Sequence, residues 1–244
     1  MVKRSNWRYN PIHGSVRGVA MLTFYSLIVF VLVVDGALLT FLAFAYHSKR
    51  FEGYRISLKE SMKVPGAERL KNIAFIAVLS LAAVLGMTGA IYRFTFHDHL
   101  VTAWRIAYEI VAILLVYDLA YYWLHRAMHT KKLMRLVHGK HHEVHNPTAM
   151  ESFYLTPAEL FAGLGLLLAC TWLVGPVSIY SFAAVFFIHS TLNITVHSGL
   201  LSKRTLLWPI DHLTRKHYTH HAGNYDNNFA SLTPFWDMLF RTAK

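Results

Sequence analysis

The chain has 244 residues, of which 55% are hydrophobic and only 15% charged, and its mean hydropathy is +0.34. This composition is too apolar for an ordinary soluble domain of that size, so a soluble protein with a large helical core is the less favoured alternative. The net charge is +11, but the basic residues are spread between apolar runs, which fits anionic lipid headgroups better than nucleic acid.

Long apolar runs in the first half of the chain predict three membrane-crossing helices. The first run extends from Val19 to Tyr46, which is too long for the apolar part of a signal peptide. Asp35 in its middle predicts either a tilted helix or a polar contact with another helix. The second run, 73–92, has the 20 residues that a bilayer requires. The third covers about 103–124 and carries two carboxylates.

The fourth apolar stretch, from Pro157 to His189, is interrupted by Gly175 and Pro176. Because proline cannot continue a helix, this stretch predicts two short helices in a hairpin. The expected fold is therefore an all-α integral membrane bundle with about three to four spanning helices plus a helical hairpin. We expect a single domain over residues 1–244.

The basic residues between the apolar runs predict the orientation of the chain. Residues 47–72 hold seven lysines and arginines, 125–156 hold five and the tail from Ser198 holds six, whereas 93–105 hold two. The positive-inside rule then places the first three segments on the cytoplasmic side. These segments contain the dense histidine motifs, so we expect a histidine-rich helical cap on that face. The four basic residues before Val19 fit this orientation poorly, and the side of the N-terminus is left open.

Two residue counts narrow the chemistry of the chain. Cys170 is the only cysteine, which excludes disulfides within the chain, Cys-ligated zinc sites and iron–sulfur clusters. Histidine, by contrast, occurs 16 times, and most of these residues lie between His125 and His221. The histidines are therefore the candidate functional residues.

The third apolar run leads directly into the first histidine motif. Asp118, Tyr122, His125 and His129 are spaced four, three and four residues apart, so they form one stripe along a helix. Two histidines one turn apart can bind one metal, and Asp118 is in a position to orient a ligand imidazole. Interpreted alone, the stripe is equally consistent with a helix end rich in interfacial aromatic residues.

Two copies of the pattern HxxHH follow, at 138–142 and 217–221. Neighbouring residues on a helix diverge by about 100°, so the adjacent histidines of each copy can face different metals, and the pattern predicts a dinuclear site. His197 is a further candidate, whereas His189 is expected to be an interfacial residue. The predicted metal ligands are His125, His129, His138, His141, His142, His197, His217, His220 and His221. Unpaired histidines at 13, 47, 97, 99, 145 and 212 are expected at surfaces or interfaces.

The number of candidate ligands suggests two metal ions, but the ligand type does not identify the element. Zinc usually takes three or four ligands, so nine imidazoles suggest two ions, and imidazole suits iron, copper, zinc and nickel. The segment 142–145 has the wrong spacing for the HExxH motif of zinc proteases. A site beside membrane helices favours a lipid substrate, and the C–H bonds of lipids are attacked by iron and dioxygen chemistry.

From Tyr117 to Thr242 the chain resembles the fatty acid hydroxylase superfamily, which includes sterol C4-methyl oxidases, sterol C5-desaturases and cholesterol 25-hydroxylase-like enzymes. The segment 118–129 and the two HxxHH copies resemble the histidine boxes of that family. Further matching motifs are Pro157-Ala158-Glu159, His197-Ser198-Gly199, Asn228-Phe229-Ala230, Trp236-Asp237 and Phe240-Arg241-Thr242. The chain departs from the family pattern at Thr156, Phe229 and Arg241, where many members have His, Tyr and Gly.

The resemblance implies two iron ions, dioxygen, and electrons from a b-type cytochrome or a ferredoxin with its reductase. We expect this donor to be a separate protein, which the basic face can attract if the carrier is acidic. The expected activity is O2-dependent hydroxylation of a C–H bond in a fatty acyl chain, sterol or related lipid. Desaturation by the same di-iron site is the nearest alternative, and the His-Ser-Gly motif favours sterol-type relatives.

Two other classes of function are weaker. A membrane metal transporter requires ligands near the bilayer midplane, whereas these motifs lie at helix ends. A haem protein requires only one or two histidines for each iron. We expect a multi-pass protein of the bacterial inner membrane, with the endoplasmic reticulum as the alternative location. The active site is expected on the cytoplasmic side.

Overall fold

Helices dominate the part of the chain that the computed structural model describes, which is residues 11–58, 64–223 and 225–244, with side chains from Gly18 onward. The α-helices are α1 Pro11–His47, α2 Gly66–Thr95, α3 Ala103–Met128, α4 Lys131–Leu133, α5 Pro157–Val174, α6 Ile179–Val196, α7 Trp208–His221 and α8 Phe235–Leu239. Short 3-10 or π-helical turns occupy Lys49–Tyr54, Met134–His138, His141–Glu143, Ala149–Phe153 and Thr205–Leu207. Two strands, β1 Phe96–His97 and β2 Val177–Ser178, pair in parallel.

Among the described residues, five helices are long and apolar enough to cross a membrane. These candidate spans are Gly18–His47, Gly66–Thr95, Ala103–Met128, Pro157–Val174 and Ile179–Val196. Their outward faces carry exposed large apolar side chains, such as Leu22, Phe30 and Phe44 on α1, which lipid can cover. The predicted all-α membrane bundle is thereby confirmed, and the chain is a multi-pass membrane protein. The assignment of one domain to residues 1–244 stays a prediction.

The first helix of the predicted hairpin ends before Gly175 as expected, the second is longer than expected, and the two are not packed side by side. Helix α5 packs mainly on α2 and α3, whereas α6 packs mainly on α1 and α3, so α3 lies between them. Helix α6 also continues past His189 to Val196. In its polar last turns the hydroxyls of Ser190 and Thr195 donate to carbonyl oxygens one turn earlier, at 2.6 and 2.7 Å, which satisfies these polar groups inside the helix.

Carboxylates inside the bundle connect its elements through hydrogen bonds and an ion pair. Asp35 in α1 is 5% exposed, and one of its oxygens accepts a hydrogen bond of 2.9 Å from the hydroxyl of Thr191 in α6. The polar contact that Asp35 predicted is therefore present. Glu109 in α3 binds the Arg105 guanidinium at 2.6 Å and accepts a hydrogen bond of 3.0 Å from the backbone N–H of Ser178. This second carboxylate holds strand β2 at one end of α3.

The segments between the helices gather at opposite ends of the bundle. At one end, Arg55 pairs with Leu200 in an isolated bridge, and Arg69 forms an ion pair of 3.3 Å with Glu151. These contacts bring together the three basic segments for which the sequence predicted a common side. The β1–β2 pair closes the other end. Which end faces the cytoplasm stays a prediction.

Gly199 permits a close crossing of two segments at the basic end. Its φ is +65°, and a Cβ atom there would lie 2.9 Å from the carbonyl oxygen of Pro147 and 3.0 Å from the ring of Tyr46. A side chain at this position therefore meets both an unfavourable backbone conformation and a steric clash.

We predict that Gly199→Ala lowers the free energy of unfolding by roughly 1–3 kcal/mol, because left-handed backbone alone costs about 1–2 kcal/mol for an L-residue. The measurement is the thermal midpoint in detergent. Gly86→Ala is the matched control, because Gly86 lies within α2 with open space around it, and alanine there should leave the midpoint unchanged or raise it slightly. Equal midpoints for Gly199→Ala and the unchanged protein would contradict the prediction.

Candidate metal centre

All nine histidines proposed as ligands meet at the basic end of the bundle, in two adjacent groups. The five-histidine group contains His125, His129, His138, His142 and His220. The four-histidine group contains His141, His197, His217 and His221. Within each group, one ring nitrogen of every residue lies within 4.8 Å of the others. Ligand nitrogens bound at about 2.1 Å from one ion lie up to about 4.2 Å apart, so each group has nearly the spread of one coordination sphere.

The second HxxHH copy divides between the two groups as its spacing predicts. His217 and His221 lie one turn apart on α7 and both join the four-histidine group. His220 joins the five-histidine group instead, and its ring centroid lies 6.0 Å from that of His221. One helix therefore supplies both groups, because neighbouring side chains diverge around its axis.

The first HxxHH copy divides in the same way on a less regular backbone. His138 ends a π-helical turn, and a 3-10 turn begins at His141. The tight turn requires Gly139, because a Cβ atom there would lie 2.5 Å from the carbonyl oxygen of Met134. His138 and His142 join the five-histidine group and His141 joins the other. The expected division is found, although this copy does not lie on a regular α-helix.

Three helices have their C-terminal ends at the site. His125 lies in the last turn of α3, His197 is the C-cap of α6, and His220 and His221 end α7. The C-terminal end of a helix carries a partial negative charge from its free carbonyl groups. Three such ends around one small volume favour a bound cation there.

Hydrogen bonds fix the orientation of most of the rings. The Nδ1 atoms donate to backbone carbonyls in five cases: His125 to Phe229 at 2.8 Å, His141 to Tyr154 at 3.1 Å, His197 to Asn193 at 2.7 Å, His220 to Asn227 at 2.6 Å and His221 to Val144 at 3.1 Å. A carbonyl oxygen can only accept, so the proton of each neutral ring is on Nδ1. The Nε2 atom of each ring then presents a lone pair to its group.

A carboxylate orients a sixth ring. Oε1 of Glu159, in the first turn of α5, lies 2.8 Å from Nδ1 of His138. Such a carboxylate–imidazole pair fixes the ring and raises its basicity toward a metal. The Nε2 atom of His138 is thereby also directed at the five-histidine group.

The lone pairs of facing rings lie close enough together to favour a positive charge between them. Nε2 of His138 lies 3.1 Å from Nε2 of His125, and the Nε2 atoms of His141 and His197 are also 3.1 Å apart. With Nδ1 protonated, neither partner of these pairs has a hydrogen to share. Nε2 of His220 is buried without a partner among the described residues. The donor set therefore fits metal ions, which would accept these lone pairs.

Protons do not supply that positive charge at neutral pH. Burial, the largest cause, lowers the pKa of His129, His138 and His197 to about 3 each. Burial also holds the pKa of His220 and His221 well below the ordinary value, and neighbouring histidines lower it further. The rings are thus neutral ligands at pH 7.

The C-terminal segment is folded into a clasp beneath the site. Asp237 accepts hydrogen bonds from the backbone N–H groups of Phe229 and Ala230 at 2.8 and 3.0 Å and from the hydroxyl of Thr242 at 2.8 Å. Its carboxylate also pairs with the buried Lys216 ammonium at 2.7 Å. The loop held in this way carries two of the carbonyls that orient histidine rings.

The structure corrects the role expected for Asp118. Its oxygens accept hydrogen bonds from the backbone N–H of Leu232 at 2.7 Å and the hydroxyl of Thr233 at 2.6 Å, and not from an imidazole. Two helical turns separate Asp118 from His125, about 10 Å, which is too far for a carboxylate to reach that ring. Asp118 therefore anchors the C-terminal segment to α3.

Sequence reasoning missed the role of Glu159 in orienting the ring of His138. The Pro-x-Glu motif made it visible, but its contact with His138 spans 21 positions and follows from the tertiary fold. His189, by contrast, lies outside both groups, and its Nε2 is 2.8 Å from the hydroxyl of Tyr117. The other histidines with described side chains also lie outside the groups, and the side chain of His13 is beyond the described part of the chain.

Comparison with known proteins assigns the chain to a family. The sequence model for fatty acid hydroxylase matches residues 110–242, more than half of the 244 residues. The chain belongs to the fatty acid hydroxylase family. This confirms the resemblance found in the histidine motifs.

The names of similar proteins refer to sterols and to very-long-chain aldehydes. Methylsterol monooxygenase 1 of Rattus norvegicus is 30% identical over 130 residues, covering 51% of this chain and 43% of the relative. Very-long-chain aldehyde decarbonylase GL1-11 of Oryza sativa subsp. indica is 32% identical over 145 residues, covering 57% and 53%. Methylsterol monooxygenase erg25B of Aspergillus fumigatus is 25% identical over 150 residues, covering 58% and 49%. The matched region spans about half the length of each relative, and no solved structure matches the chain significantly.

Two departures from the family pattern have structural consequences. Thr156 caps α5, accepting a hydrogen bond of 3.2 Å from the backbone N–H of Glu159 and donating one of 2.8 Å to the carbonyl of Val137. A polar contact next to His138 is thus kept where many family members have histidine. Arg241 has a φ of +58°, the left-handed region in which the glycine of other members is favoured.

We predict that Glu159→Gln weakens metal binding by about 10- to 100-fold, because the neutral amide no longer raises the basicity of His138. Competition with a chelator measures the affinity. Glu52→Gln, at an exposed position in the Lys49–Tyr54 turn, is the matched control and should bind metal like the unchanged protein. An unchanged affinity in Glu159→Gln would remove the carboxylate from the metal centre.

We also predict that the metal-free protein loses stability as the pH falls. The folded pKa values of His138 and His197 are about 3, below the ordinary 6.5, so the unfolded chain binds protons first. Stability is complete above pH 6.5 and falls by roughly 2 kcal/mol per such histidine by pH 5. Thermal midpoints in detergent between pH 7.5 and 5 measure this loss. A flat profile would show that these rings are not buried as neutral groups.

Proposed function

We propose that this protein is an O2-dependent di-iron oxygenase that hydroxylates a C–H bond of a membrane lipid. The observation that supports this most directly is the pair of adjacent histidine groups, which contain neither thiolate nor carboxylate. Imidazole is a common ligand for iron, and membership of the fatty acid hydroxylase family favours iron over copper, zinc or nickel. When bound, the two irons would supply the oxidising chemistry that an unreactive C–H bond requires.

In this proposal each histidine group holds one iron, and the rest of the chain prepares the ligands. Seven of the nine rings are buried and two are half-buried. Burial keeps water away from the oxidising centre and protects the substrate from side reactions. Glu159 and the backbone carbonyls keep the rings in one orientation, so little rearrangement accompanies metal binding.

The substrate is proposed to be a lipid because the site lies at the ends of the candidate membrane spans. The names of the relatives support a lipid, since one kind is a methylsterol monooxygenase and the other a very-long-chain aldehyde decarbonylase. A fatty acyl chain, a sterol or a related lipid is consistent with these names. Desaturation by the same centre is the second candidate, because the reaction differs only in the fate of the oxidised carbon.

The electron donor is proposed to be a separate b-type cytochrome, or a ferredoxin with its reductase. Lys131 and Lys132 are exposed beside the five-histidine group, and the described parts of the segments at this end of the bundle carry 16 of the 24 basic residues. An acidic carrier would be steered to such a surface at low salt. We propose a bacterial inner membrane, with the endoplasmic reticulum as the alternative, and the site on the cytoplasmic side.

We predict that the purified protein contains about two iron ions per chain, and that replacing a ligand of one group leaves about one. His220→Ala should empty the five-histidine group and His217→Ala the four-histidine group, and both should abolish turnover. His212→Ala is the control, because this exposed residue lies on the same helix outside both groups. Iron analysis and lipid mass spectrometry are the measurements.

The product mass then separates the candidate reactions. A gain of one oxygen indicates hydroxylation, and a loss of two hydrogens indicates desaturation. Full turnover in His220→Ala would remove that residue from the site. Metal flux into vesicles without oxygen consumption would replace the oxygenase by a transporter.

A further inference from the structure

A small cavity adjoins both histidine groups. It has a volume of about 20 Å³ and lies between α3, α6, α7 and the C-terminal loop. His125 of the five-histidine group and His217 of the four-histidine group both line it. A cavity of this size holds one group as large as a water molecule. Whatever occupies it therefore lies beside both groups at once.

Three half-buried polar side chains line the cavity. The hydroxyl of Tyr121, the side-chain amide of Asn193 and the hydroxyl of Ser231 form no hydrogen bonds with the residues that the structure describes. These groups are therefore available to water or to a ligand. The ammonium of Lys216, also in the wall, is different, because Asp237 and the carbonyl of Ala230 already bind it.

These groups stand on the membrane side of the histidines. Tyr121 lies one helical turn before His125 on α3, and Asn193 lies one turn before His197 on α6. Residues four positions apart share a helix face, so each polar group adjoins a histidine and precedes it along the helix. A lipid that enters from the bilayer meets Tyr121 and Asn193 before it reaches the histidine groups.

We propose that this cavity binds an oxygen atom of the lipid substrate, a hydroxyl or a carbonyl, and so places the neighbouring carbon at the two histidine groups. The inference rests on the proposed lipid oxygenase function and narrows its substrate to lipids that already carry oxygen next to the reacting carbon. Hydroxyl and amide groups both donate and accept, so they complement either kind of oxygen. The apolar side chains of Val196 and Leu213 line the cavity beside these groups.

The polar groups of the cavity wall would allow the site to discriminate between oxygenated lipids and plain hydrocarbons. A plain hydrocarbon in this cavity would leave Tyr121, Asn193 and Ser231 without partners, whereas an oxygenated lipid satisfies them. Sites built to bind a substrate oxygen reject analogues that lack it for this reason. Tyr121 and Asn193 are thus specificity-determining residues of the proposed reaction.

The test compares lipids that differ by one oxygen. Protein in nanodiscs is equilibrated with tritiated hexadecan-1-ol or hexadecane, and with 5α-cholestan-3β-ol or 5α-cholestane, at equal mole fractions in the bilayer. In at least one pair we expect the alcohol to bind about tenfold more tightly, which is the effect of one hydrogen bond. Tyr121→Phe, which removes only the hydroxyl, and Asn193→Leu should each reduce that preference to less than about threefold.

Controls keep the result independent of folding and of iron. Tyr108→Phe, on the exposed surface of the same helix, should keep the full preference. Thermal midpoints identify a misfolded variant, and Ser231→Ala replaces Asn193→Leu if that variant does not fold. Binding needs no turnover, so iron content, measured on the same samples, tests the proposed function separately. Equal binding within both pairs, or a preference that Tyr121→Phe and Asn193→Leu leave intact, overturns the inference and leaves the cavity to water only.

Discussion

Lone pairs of buried neutral imidazoles converge at the basic end of this bundle, and much of the structure keeps them in place. A backbone carbonyl or Glu159 accepts a hydrogen bond from the Nδ1–H of six rings, so that Nε2 faces the histidine group. Facing nitrogens such as those of His125 and His138, 3.1 Å apart, repel unless a cation lies between them. The nitrogen lone pairs of the folded protein are therefore arranged to receive a cation.

The bundle meets this constraint with helix ends rather than with a pocket inside the membrane. Helices α3, α6 and α7 end at the site, so their partial negative charges and their last histidines arrive together. The other end of the bundle is closed by β1, β2 and the aromatic rings of Phe24, Phe96 and Phe182. This division places the histidine groups at the edge of the apolar region, which both the lipid phase and the aqueous phase can reach.

Local patterns made much of this predictable. Apolar runs gave the positions of the spanning helices, and the HxxHH spacing predicted that His220 and His221 face different groups, because both depend on neighbours along one helix. Contacts between distant segments have no such signal. The place of α3 between α5 and α6, the pairing of Glu159 with His138, and the contacts of Asp118 with residues 232 and 233 all arise only when the helices pack.

The clasp formed by the C-terminal segment also determines when the centre can form during synthesis. The carbonyl that orients His125 belongs to Phe229, 104 positions later, and Asp237 holds that loop. The ribosome must therefore release both residues before the first histidine motif can take its final geometry. If the histidine groups bind metal as proposed, metal loading follows translation and membrane insertion, and a nascent chain stalled before residue 237 carries its histidines in the membrane without a completed site. Under the same proposal, nonsense mutations late in the message would yield inserted but metal-poor protein.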